Sequence, residues 1–432
     1  MKYIITILSC FLTFITDAQN LFTSDQAVQN ALANNYNIRL AQNIVLIATN
    51  NTDKRLNGYL PTATLNGGPN ANLGSSTQQL ADGRQLSFNN AFSWNIGANV
   101  TANYLIYDKG RDLTLEQLKS TLDLTNLELR QAIELNMQDV LTAYYQLAQL
   151  TERVDLQQQT IELSQRRRQR AQYRFDYGQG SKLDVLNAQV DIQRDTVDLI
   201  NLQQQIANAQ RNLNFLIGQK IETDFEVDTS LQYLETTTFQ QLRQSMMSNN
   251  IQLRILQQNR NLLEYDLEIN NAVRYPSVST TAGYNFNYQD NAEGSFFVSS
   301  NSRGWNLGVN VAWTLYDGGV RKMREQNIKV NANNLVVQRQ QLEQQLLTTL
   351  TNAWESYQNA LFILDVERQN LATNQLNFER TEEQFKAGQI SSIEIRQAQL
   401  NLLNAAVNLN TAKYDAKIIE LQLLQLSGRL ME

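Results

Sequence analysis

Few side chains in this sequence could take part in bond-making chemistry. The 432 residues contain no histidine and a single cysteine, Cys10. This excludes imidazole bases, thiol nucleophiles, disulfides and metal sites built on histidine or cysteine. The paired carboxylates Asp195 and Asp198 fall in a helical pattern, where a solvated surface charge is the default expectation. We therefore predict no enzyme activity, no cofactor and no metal site.

Two further acids, Asp184 and Glu394, occupy matching positions in two related segments. Each lies six residues after a glycine and three residues after a serine, Ser181 or Ser391. Ser-x-x-acid is the spacing of a helix capping box, in which the acid covers free N–H groups and faces the positive end of the helix dipole. The spacing alone predicts a capping role for both acids.

Arginines crowd the turns that precede Gly178, within about 18 Å of it along a helix. They are Arg166, Arg167, Arg168, Arg170 and Arg174. The simpler interpretation of this cluster is a solvated helix face. The more specific interpretation is a docking surface for a partner protein.

The N-terminus reads as a secretory signal peptide. Lys2 supplies the positive charge, an apolar run from Ile4 to Ile15 follows, and we place cleavage after Ala18. The alternative is a lipoprotein acylated at Cys10, which would leave a shorter apolar run. No later stretch approaches the roughly 18 apolar residues of a membrane helix. The balance of 36 basic against 42 acidic residues predicts no nucleic-acid partner.

The chain contains an internal duplication. Asn34-Asn35 recurs as Asn249-Asn250, and Trp94-Asn95-Ile96-Gly97 recurs as Trp305-Asn306-Leu307-Gly308. Gly178 recurs as Gly388, and Gly218 recurs as Gly428. The order of these landmarks is the same in both copies, and their offset stays between 210 and 215 residues. One structural module is therefore written twice.

Each copy contains segments that alternate with period 2, apolar on one face and Asn, Ser, Thr or Gly on the other. A half-buried soluble sheet would show the same alternation. Aromatic residues near the predicted strand ends and the signal peptide favour a transmembrane barrel with interfacial aromatics. Those aromatics are Trp94, Tyr104, Tyr107, Trp305, Trp313 and Tyr316. One chain offers about four strands, too few to close a barrel, whereas three copies would supply about twelve.

Each copy then continues with about 65 residues that lack proline, at 112–177 and 320–387. As helices these would run roughly 100 Å. Val140, Leu147, Val154 and Ile161 lie seven apart, and the positions 210 residues later are Leu350, Tyr357, Leu364 and Leu371. This repeat predicts coiled-coil packing. Return helices carry a similar apolar set at Leu183, Leu186, Val190, Val197 and Ile200.

The chain resembles the TolC family of outer-membrane efflux proteins over essentially its whole mature length. Two kinds of motif carry the resemblance. They are the junctions Tyr107-Asp108-Lys109-Gly110 and Tyr316-Asp317-Gly318-Gly319, and the tips Phe175-Asp176-Tyr177-Gly178-Gln179-Gly180-Ser181-Lys182-Leu183-Asp184 and Phe385-Lys386-Ala387-Gly388-Gln389-Ile390-Ser391-Ser392-Ile393-Glu394.

The resemblance implies an α+β membrane protein whose four strands per chain are pooled in a trimeric 12-stranded barrel. A long helical coiled-coil tunnel would continue this barrel into the periplasm of a Gram-negative bacterium. The implied partners are two further copies of the chain, outer-membrane lipid, a periplasmic adaptor protein and an inner-membrane transporter. The implied function is a passive exit duct for efflux or type I secretion. A secreted coiled-coil structural or adhesive protein is the alternative.

The resemblance also implies roles for residues at the tips. Asp184 and Glu394 would line the periplasmic entrance, and Gly178, Gly180 and Gly388 would form the turns. If the arginines before the first tip are a docking surface and not a solvated face, Arg166, Arg167, Arg168 and Arg170 are the candidates for contact with this adaptor. Some relatives close the periplasmic entrance with charged residues, and three positions of this chain differ from them. Ile390 stands where those relatives have a gating arginine, and Gln397 and Asn187 stand where they have further acids.

The predicted organisation follows from these elements. A signal peptide at 1–18 precedes the first copy at 19–218, with an opening helix at about 24–56, a hairpin near 59–107 and a helical hairpin near 110–217. A linker at 219–237 leads to the second copy at 238–432, with an opening helix at about 238–272, a hairpin near 275–316 and a helical hairpin near 319–428.

Overall fold

The computed structural model describes residues 21–233, 237–291 and 297–431. The predicted signal peptide, with Lys2, Cys10 and Ala18, lies outside the described residues. The described residues form two compact units, one within 21–41, 130–251 and 342–431, the other within 42–129 and 252–341. Among the described residues, no helix has the length and apolar character needed to cross a membrane.

The same series of elements occurs twice along the chain. The first series is α1 (Ser24–Asn34), α2 (Tyr36–Asn51), β1 (Thr62–Gln79), β2 (Gln85–Tyr107), α3 (Lys109–Asp176) and α4 (Lys182–Leu216). The second is α5 (Phe239–Asn249), α6 (Ile251–Ala272), β3 (Ser277–Asp290), β4 (Ser299–Ala312), α7 (Val320–Lys386) and α8 (Ser392–Ser427). The long helices expected from the scarcity of proline are α3 and α7, with 68 and 67 residues.

The opening helix of each copy is broken, whereas the sequence predicted one helix at about 24–56 and one at 238–272. Asn35 separates α1 from α2, because its carboxamide oxygen accepts the N–H groups of Asn37 and Ile38 at 2.8 and 3.1 Å. Its carboxamide nitrogen donates to Leu216 O at 2.7 Å. Asn250 separates α5 from α6, and its carboxamide nitrogen donates to Leu426 O at 3.1 Å.

Gly218 and Gly428 allow the close approach that these asparagine breaks require. Both have positive φ, 70° and 71°. A Cβ on Gly218 would lie 2.4 Å from Asn34 O, and one on Gly428 would lie 2.9 Å from Asn249 O. The asparagine pairs and the terminal glycines found as duplicated landmarks are therefore two halves of one contact, made once in each copy.

The four strands form one antiparallel sheet in the order β1-β2-β3-β4. Paired residues of an antiparallel sheet share a face, so the register defines both faces. Leu65, Val100, Tyr284 and Trp305 form one continuous row on the apolar face. The neighbouring row on the other face consists of Asn66, Asn99, Asn285 and Gly304. A bulge between Leu105 and Tyr107 brings Tyr107 opposite Val278 and so onto the apolar face.

The core of the first unit contains the predicted heptad seam of α3. Met137, Val140, Tyr144 and Leu147 are all at most 8% exposed. They pack in one hydrophobic cluster with residues from other segments of the same unit, namely Ala27, Ala31, Leu213, Ile217, Tyr414 and Leu421. The Tyr144 hydroxyl lies within hydrogen-bond distance of two carbonyl oxygens, 2.9 Å from Phe22 and 2.8 Å from Asp228. Burial raises the pKa of Tyr144.

The apolar set expected in the return helix α4 is exposed within the chain. Leu183, Leu186, Val190, Val197 and Ile200 are 53–62% exposed. The α4 positions buried in the chain are instead Val185, Ala188, Asp195, Leu202, Leu213 and Asn214. The buried seam of α4 follows Ala188, Asp195 and Leu202 at heptad spacing, and the exposed apolar side chains form a separate stripe.

Candidate functional site

The two helix tips have the same backbone geometry. Gly178 ends α3 with a φ of 71°, and Gly388 ends α7 with a φ of 75°. In each tip the glycine N–H and the following N–H donate to carbonyls of the last helical turn, at 2.7–3.1 Å. This left-handed glycine cap reverses the chain between antiparallel helices. At Gly180 a Cβ would lie 3.0 Å from the Arg174 side chain, so the first tip has little room there.

Asp184 and Glu394 cap the helices that leave the tips. The Ser391 N–H donates to the Glu394 carboxylate at 2.8 Å, and the Glu394 N–H donates to Ser391 Oγ at 3.3 Å. Asp184 accepts the Ser181 N–H at 3.4 Å, and Ser181 Oγ accepts the Leu183 N–H at 3.1 Å. The predicted capping boxes are therefore both present.

We expect the cap at Glu394 to weaken in acid. Backbone and side-chain hydrogen bonds from Ser391 hold the pKa of Glu394 below its ordinary value of 4.5. A carboxyl whose folded-state pKa is lowered stabilises the fold above its unfolded pKa, and this contribution is lost as the pH falls through the folded value. Amide hydrogen exchange at the second tip, corrected for intrinsic rates, should lose protection as the pH falls below 4.5, whereas Glu394→Gln should remove this pH dependence. Identical pH profiles for the two proteins would contradict the prediction.

The five arginines near the first tip do not form one surface. Arg166 is 75% exposed at its side chain, and Arg168 is also exposed. Arg170 is half-buried, with its guanidinium 5.8 Å from the centre of the Phe385 ring. Arg167 is 5% exposed and forms an ion pair with Asp191. Its guanidinium therefore points into the helix packing, and burial lowers its pKa.

The expectation that Asp195 is a solvated surface charge is wrong. Asp195 is 2% exposed, and both of its oxygens accept hydrogen bonds from Arg396, at 2.7 and 2.9 Å. Ser164 Oγ donates to the same carboxylate at 2.9 Å. A buried carboxylate requires such compensation, because removing an unpaired charge from water is very costly. Asp198 is exposed, as expected.

The Asp195–Arg396 pair joins the two copies of the duplication. Asp195 lies on α4 of the first copy and Arg396 on α8 of the second. Gln399 adds hydrogen bonds of 2.9 Å to Thr160 O and Ser164 Oγ. One signal in the sequence could have revealed this site, since Asp195 lies midway between Ala188 and Leu202 at heptad spacing.

The chain also brings its two tips together around a small cavity. Its volume is about 180 Å³, and its lining includes Arg174, Asp184, Phe385, Ile390 and Ser391. The tip acid of the first copy therefore lies beside the turn of the second copy.

The sheet has an exposed apolar face and an uncharged polar face. Trp305, Leu307, Val309 and Val311 of β4 are 62–80% exposed, far more than isolated apolar surface residues would explain. The opposite face carries amides and hydroxyls with no charged residue at its strand positions. Its polar residues include Thr64, Asn66, Asn70, Asn95, Asn99, Asn103, Thr281, Asn285, Asn287, Asn306 and Asn310.

The six predicted interface aromatics fall at different heights of the sheet. Tyr104 and Tyr107 lie near the helix end of β2, and Trp313 and Tyr316 follow β4. Trp94 pairs with Asp290 at the opposite end of β3, and its indole N–H donates to that carboxylate at 3.2 Å. Trp305 lies in the middle of β4. Ser299, Asn301 and Arg303 occupy the part of the same face that lies farther from the helices.

Comparison with known proteins identifies the family. A model of the outer membrane efflux protein family matches residues 27–219 and 242–429. The chain is 22% identical over 301 residues to the outer membrane protein TolC of Vibrio cholerae, covering 68% of this chain and 67% of that protein. It is 19% identical over 302 residues to the outer membrane efflux protein BepC of Brucella suis, covering 70% of this chain and 65% of BepC. Each match spans about two thirds of the curated relative.

Solved structures show the same fold. The crystal structure of CusC, which forms a transmembrane channel, matches with a TM-score of 0.72 at 18% identity, covering 94% of this chain and 92% of CusC. The resemblance to the TolC family, the duplicated α+β membrane fold class and the outer-membrane location predicted from the sequence are confirmed. The chain belongs to the family of outer membrane efflux proteins.

Proposed function

We propose that three copies of this chain form a passive exit duct across the outer membrane. The observation that carries this proposal is the sheet itself, which has a wide exposed apolar face opposite an amide-rich uncharged face. Lipid would cover the first face and water the second. Nothing in the proposal requires catalysis by the chain, so a partner supplies the energy for transport.

Strand number and dimensions support the trimer. Within the chain β1 and β4 are the two edges of the sheet. Pairing β4 of one copy with β1 of the next would close twelve strands and leave no edge in the membrane. Trp94 and Tyr104 are ten residues apart on one face of β2, about 34 Å along the strand. At the usual barrel tilt this is roughly 26 Å of height, close to the apolar band of outer-membrane barrels.

The helices leave matching apolar stripes for neighbouring copies. Met323, Val330 and Val337 on α7 lie seven apart and are 57–61% exposed. The α4 stripe, Leu183 to Ile200, has similar exposure and also follows a heptad spacing. Heptad stripes that are uncovered in one chain are the surfaces with which further helices form coiled coils. We infer that these stripes are covered in the trimer.

The tips provide the periplasmic end of the duct. Asp184 and Glu394 are exposed or half-exposed acids at the turns, and we propose that they line the entrance while also capping their helices. We propose that the tips receive cargo from a periplasmic adaptor and an inner-membrane transporter. Gly178, Gly180 and Gly388 would give the tips the shape that the adaptor contacts.

The duct proposal is tested by trimer mass in detergent and by single-channel conductance in a planar bilayer. We expect a mass of three chains and a stable open conductance. The alternative, a secreted coiled-coil structural protein, predicts a water-soluble chain without conductance. That result would exclude the duct.

We expect the exposed arginines at the first tip to contribute to adaptor binding. Arg166→Glu with Arg168→Glu reverses two exposed charges, so adaptor recovered by pull-down should fall several-fold while the trimer mass stays unchanged. Arg243→Glu with Arg254→Glu reverses two exposed charges far from the tips in sequence and is a matched control for net charge. Equal adaptor recovery from the tip variant and the wild type would refute the docking role.

A further inference from the structure

Each of the two strand-to-helix junctions begins with an aspartate that accepts the backbone N–H of an arginine. Asp108 accepts the Arg111 N–H at 2.9 Å at the start of α3. Asp317 accepts the Arg321 N–H at 2.8 Å at the start of α7. Arg111 and Arg321 both lie in the first turn of the helix that follows, three and four residues after the aspartate.

The first junction is closed and electrically balanced. Arg111 donates to Leu105 O at 2.6 Å and to Gly58 O at 3.1 Å, and its guanidinium lies 4.1 Å from the centre of the Tyr59 ring. The Tyr59 hydroxyl donates to Asp112 at 2.6 Å. The Arg111 guanidinium is thus engaged within the junction through Nη1 and through its contact with the Tyr59 ring, and its Nε lies 3.7 Å from Asp112.

The second junction replaces these partners with cations. Arg274 lies two residues before Pro276, as Tyr59 lies two before Pro61, and Lys322 follows Arg321 as Asp112 follows Arg111. Within the described residues, neither the Arg274 guanidinium nor the Lys322 ammonium has a hydrogen-bond or ion-pair partner. Arg321 is partly balanced by Glu325 at 3.8 Å, and the same carboxylate attracts Arg274 at longer range.

These three cations line a cavity of about 470 Å³ together with aromatic and apolar side chains. Trp313, Leu315 and Tyr316 line the same cavity and are 59–86% exposed. The Trp313 indole N–H donates to Arg274 O at 3.0 Å, which fixes the ring beside the cationic wall. Asp317 also lines the cavity, but it is engaged as the helix cap by Gly319 and Arg321 N–H groups.

The cavity lies at the end of the exposed apolar face of the sheet. Val309 and Val311, 62–70% exposed, precede Trp313 along the same face of β4. A ligand held here would place a negative charge against Arg274, Arg321 and Lys322 and apolar chains along β4. Free phosphate would satisfy only the first of these surfaces, whereas an anionic glycerophospholipid satisfies both.

We propose that the second junction binds the phosphate headgroup of an anionic glycerophospholipid of the periplasmic leaflet. This rests on the proposed function only in that the apolar sheet face lies in a bilayer with the helices in the periplasm. Each copy in the trimer would then hold one such lipid, at the second junction and not at the first.

The site can be tested by quenching of Trp313 fluorescence. A protein carrying Trp94→Phe, Trp305→Phe and Trp354→Phe retains Trp313 alone and is inserted into vesicles with phosphatidylglycerol or phosphatidylcholine brominated on its acyl chains. We expect the site to prefer brominated phosphatidylglycerol over brominated phosphatidylcholine. The ratio of the two binding constants should be roughly fivefold for each cation that the lipid phosphate contacts. Arg274→Gln with Lys322→Gln should bring the preference close to one.

Lys54→Gln with Lys109→Gln at the first junction is the matched control, and it should leave the preference unchanged. Equal quenching by the two lipids in the wild type, or an unchanged preference in the Arg274/Lys322 variant, would overturn the proposal. Relief of quenching by inorganic phosphate at constant ionic strength would assign the site to free phosphate instead. A protein quenched by neither lipid is not membrane-embedded, and that outcome contradicts the duct itself.

Discussion

Asp195→Ala should lower the free energy of unfolding by about 3–5 kcal/mol, the usual cost of removing one partner from a buried ion pair. The loss arises because the Arg396 guanidinium, 10% exposed at its side chain, would lose both hydrogen bonds to Asp195. It would keep a 3.6 Å contact with Asp191, but that carboxylate is shared with Arg167. Denaturant titration of the purified protein in detergent, followed by circular dichroism, would measure the change.

Two further variants separate the ion pair from a general effect of substitution. Asp198→Ala removes an exposed carboxylate one turn away and should change stability by less than about 0.5 kcal/mol. Asp195→Ala with Arg396→Met removes both charges and should recover most of the loss, since no uncompensated charge remains. If Asp195→Ala proved no more destabilising than Asp198→Ala, the burial of this pair would not matter to the fold.

Gly218→Ala should destabilise the protein by about 2–5 kcal/mol, combining left-handed backbone strain with overpacking. Its added Cβ would lie 2.4 Å from Asn34 O and 2.6 Å from Asn34 C, and neither backbone atom can rotate away. The shift would also disturb the hydrogen bond from Asn35 to Leu216 O. The melting temperature, followed by tryptophan fluorescence, should fall clearly.

Gly178→Ala is the matched control for Gly218→Ala. Its φ of 71° is nearly the same as the 70° of Gly218, but a Cβ there would meet no atom within 4 Å. Only the strain of the left-handed conformation remains, roughly 1–2 kcal/mol. Equal melting temperatures for the two variants would show that the close approach to Asn34 contributes nothing.

Features set by local periodicity were predictable from the sequence. The alternation from Phe92 onward defines the two faces of β2, and the Ser-x-x-acid spacing defines both capping boxes. The α3 seam at Val140, Tyr144 and Leu147 follows from heptad spacing. In each case the residues that decide the structure lie within a few turns of one another.

Features decided by distant partners were not predictable in this way. Asp195 is buried because Arg396, 201 residues later, neutralises it. Arg167 is buried because Asp191 on the next helix pairs with it, although its arginine neighbours are exposed. The helix break at Asn35 depends on Leu216 O, and no local pattern distinguishes this asparagine from others in the helix. A polar residue at a seam position can be recognised as part of a buried polar contact only when the distant residue that pairs with it is known.

The uncharged polar face of the sheet has a consequence for the range of cargo. A wall of amides and hydroxyls exchanges hydrogen bonds with water, anions and cations alike, and it offers no electrostatic barrier to either sign. Passage through this part of the duct would therefore be limited by molecular size rather than by charge. A duct of this kind could serve several pumps with chemically unrelated substrates, and a change of substrate would require a new pump and no new barrel.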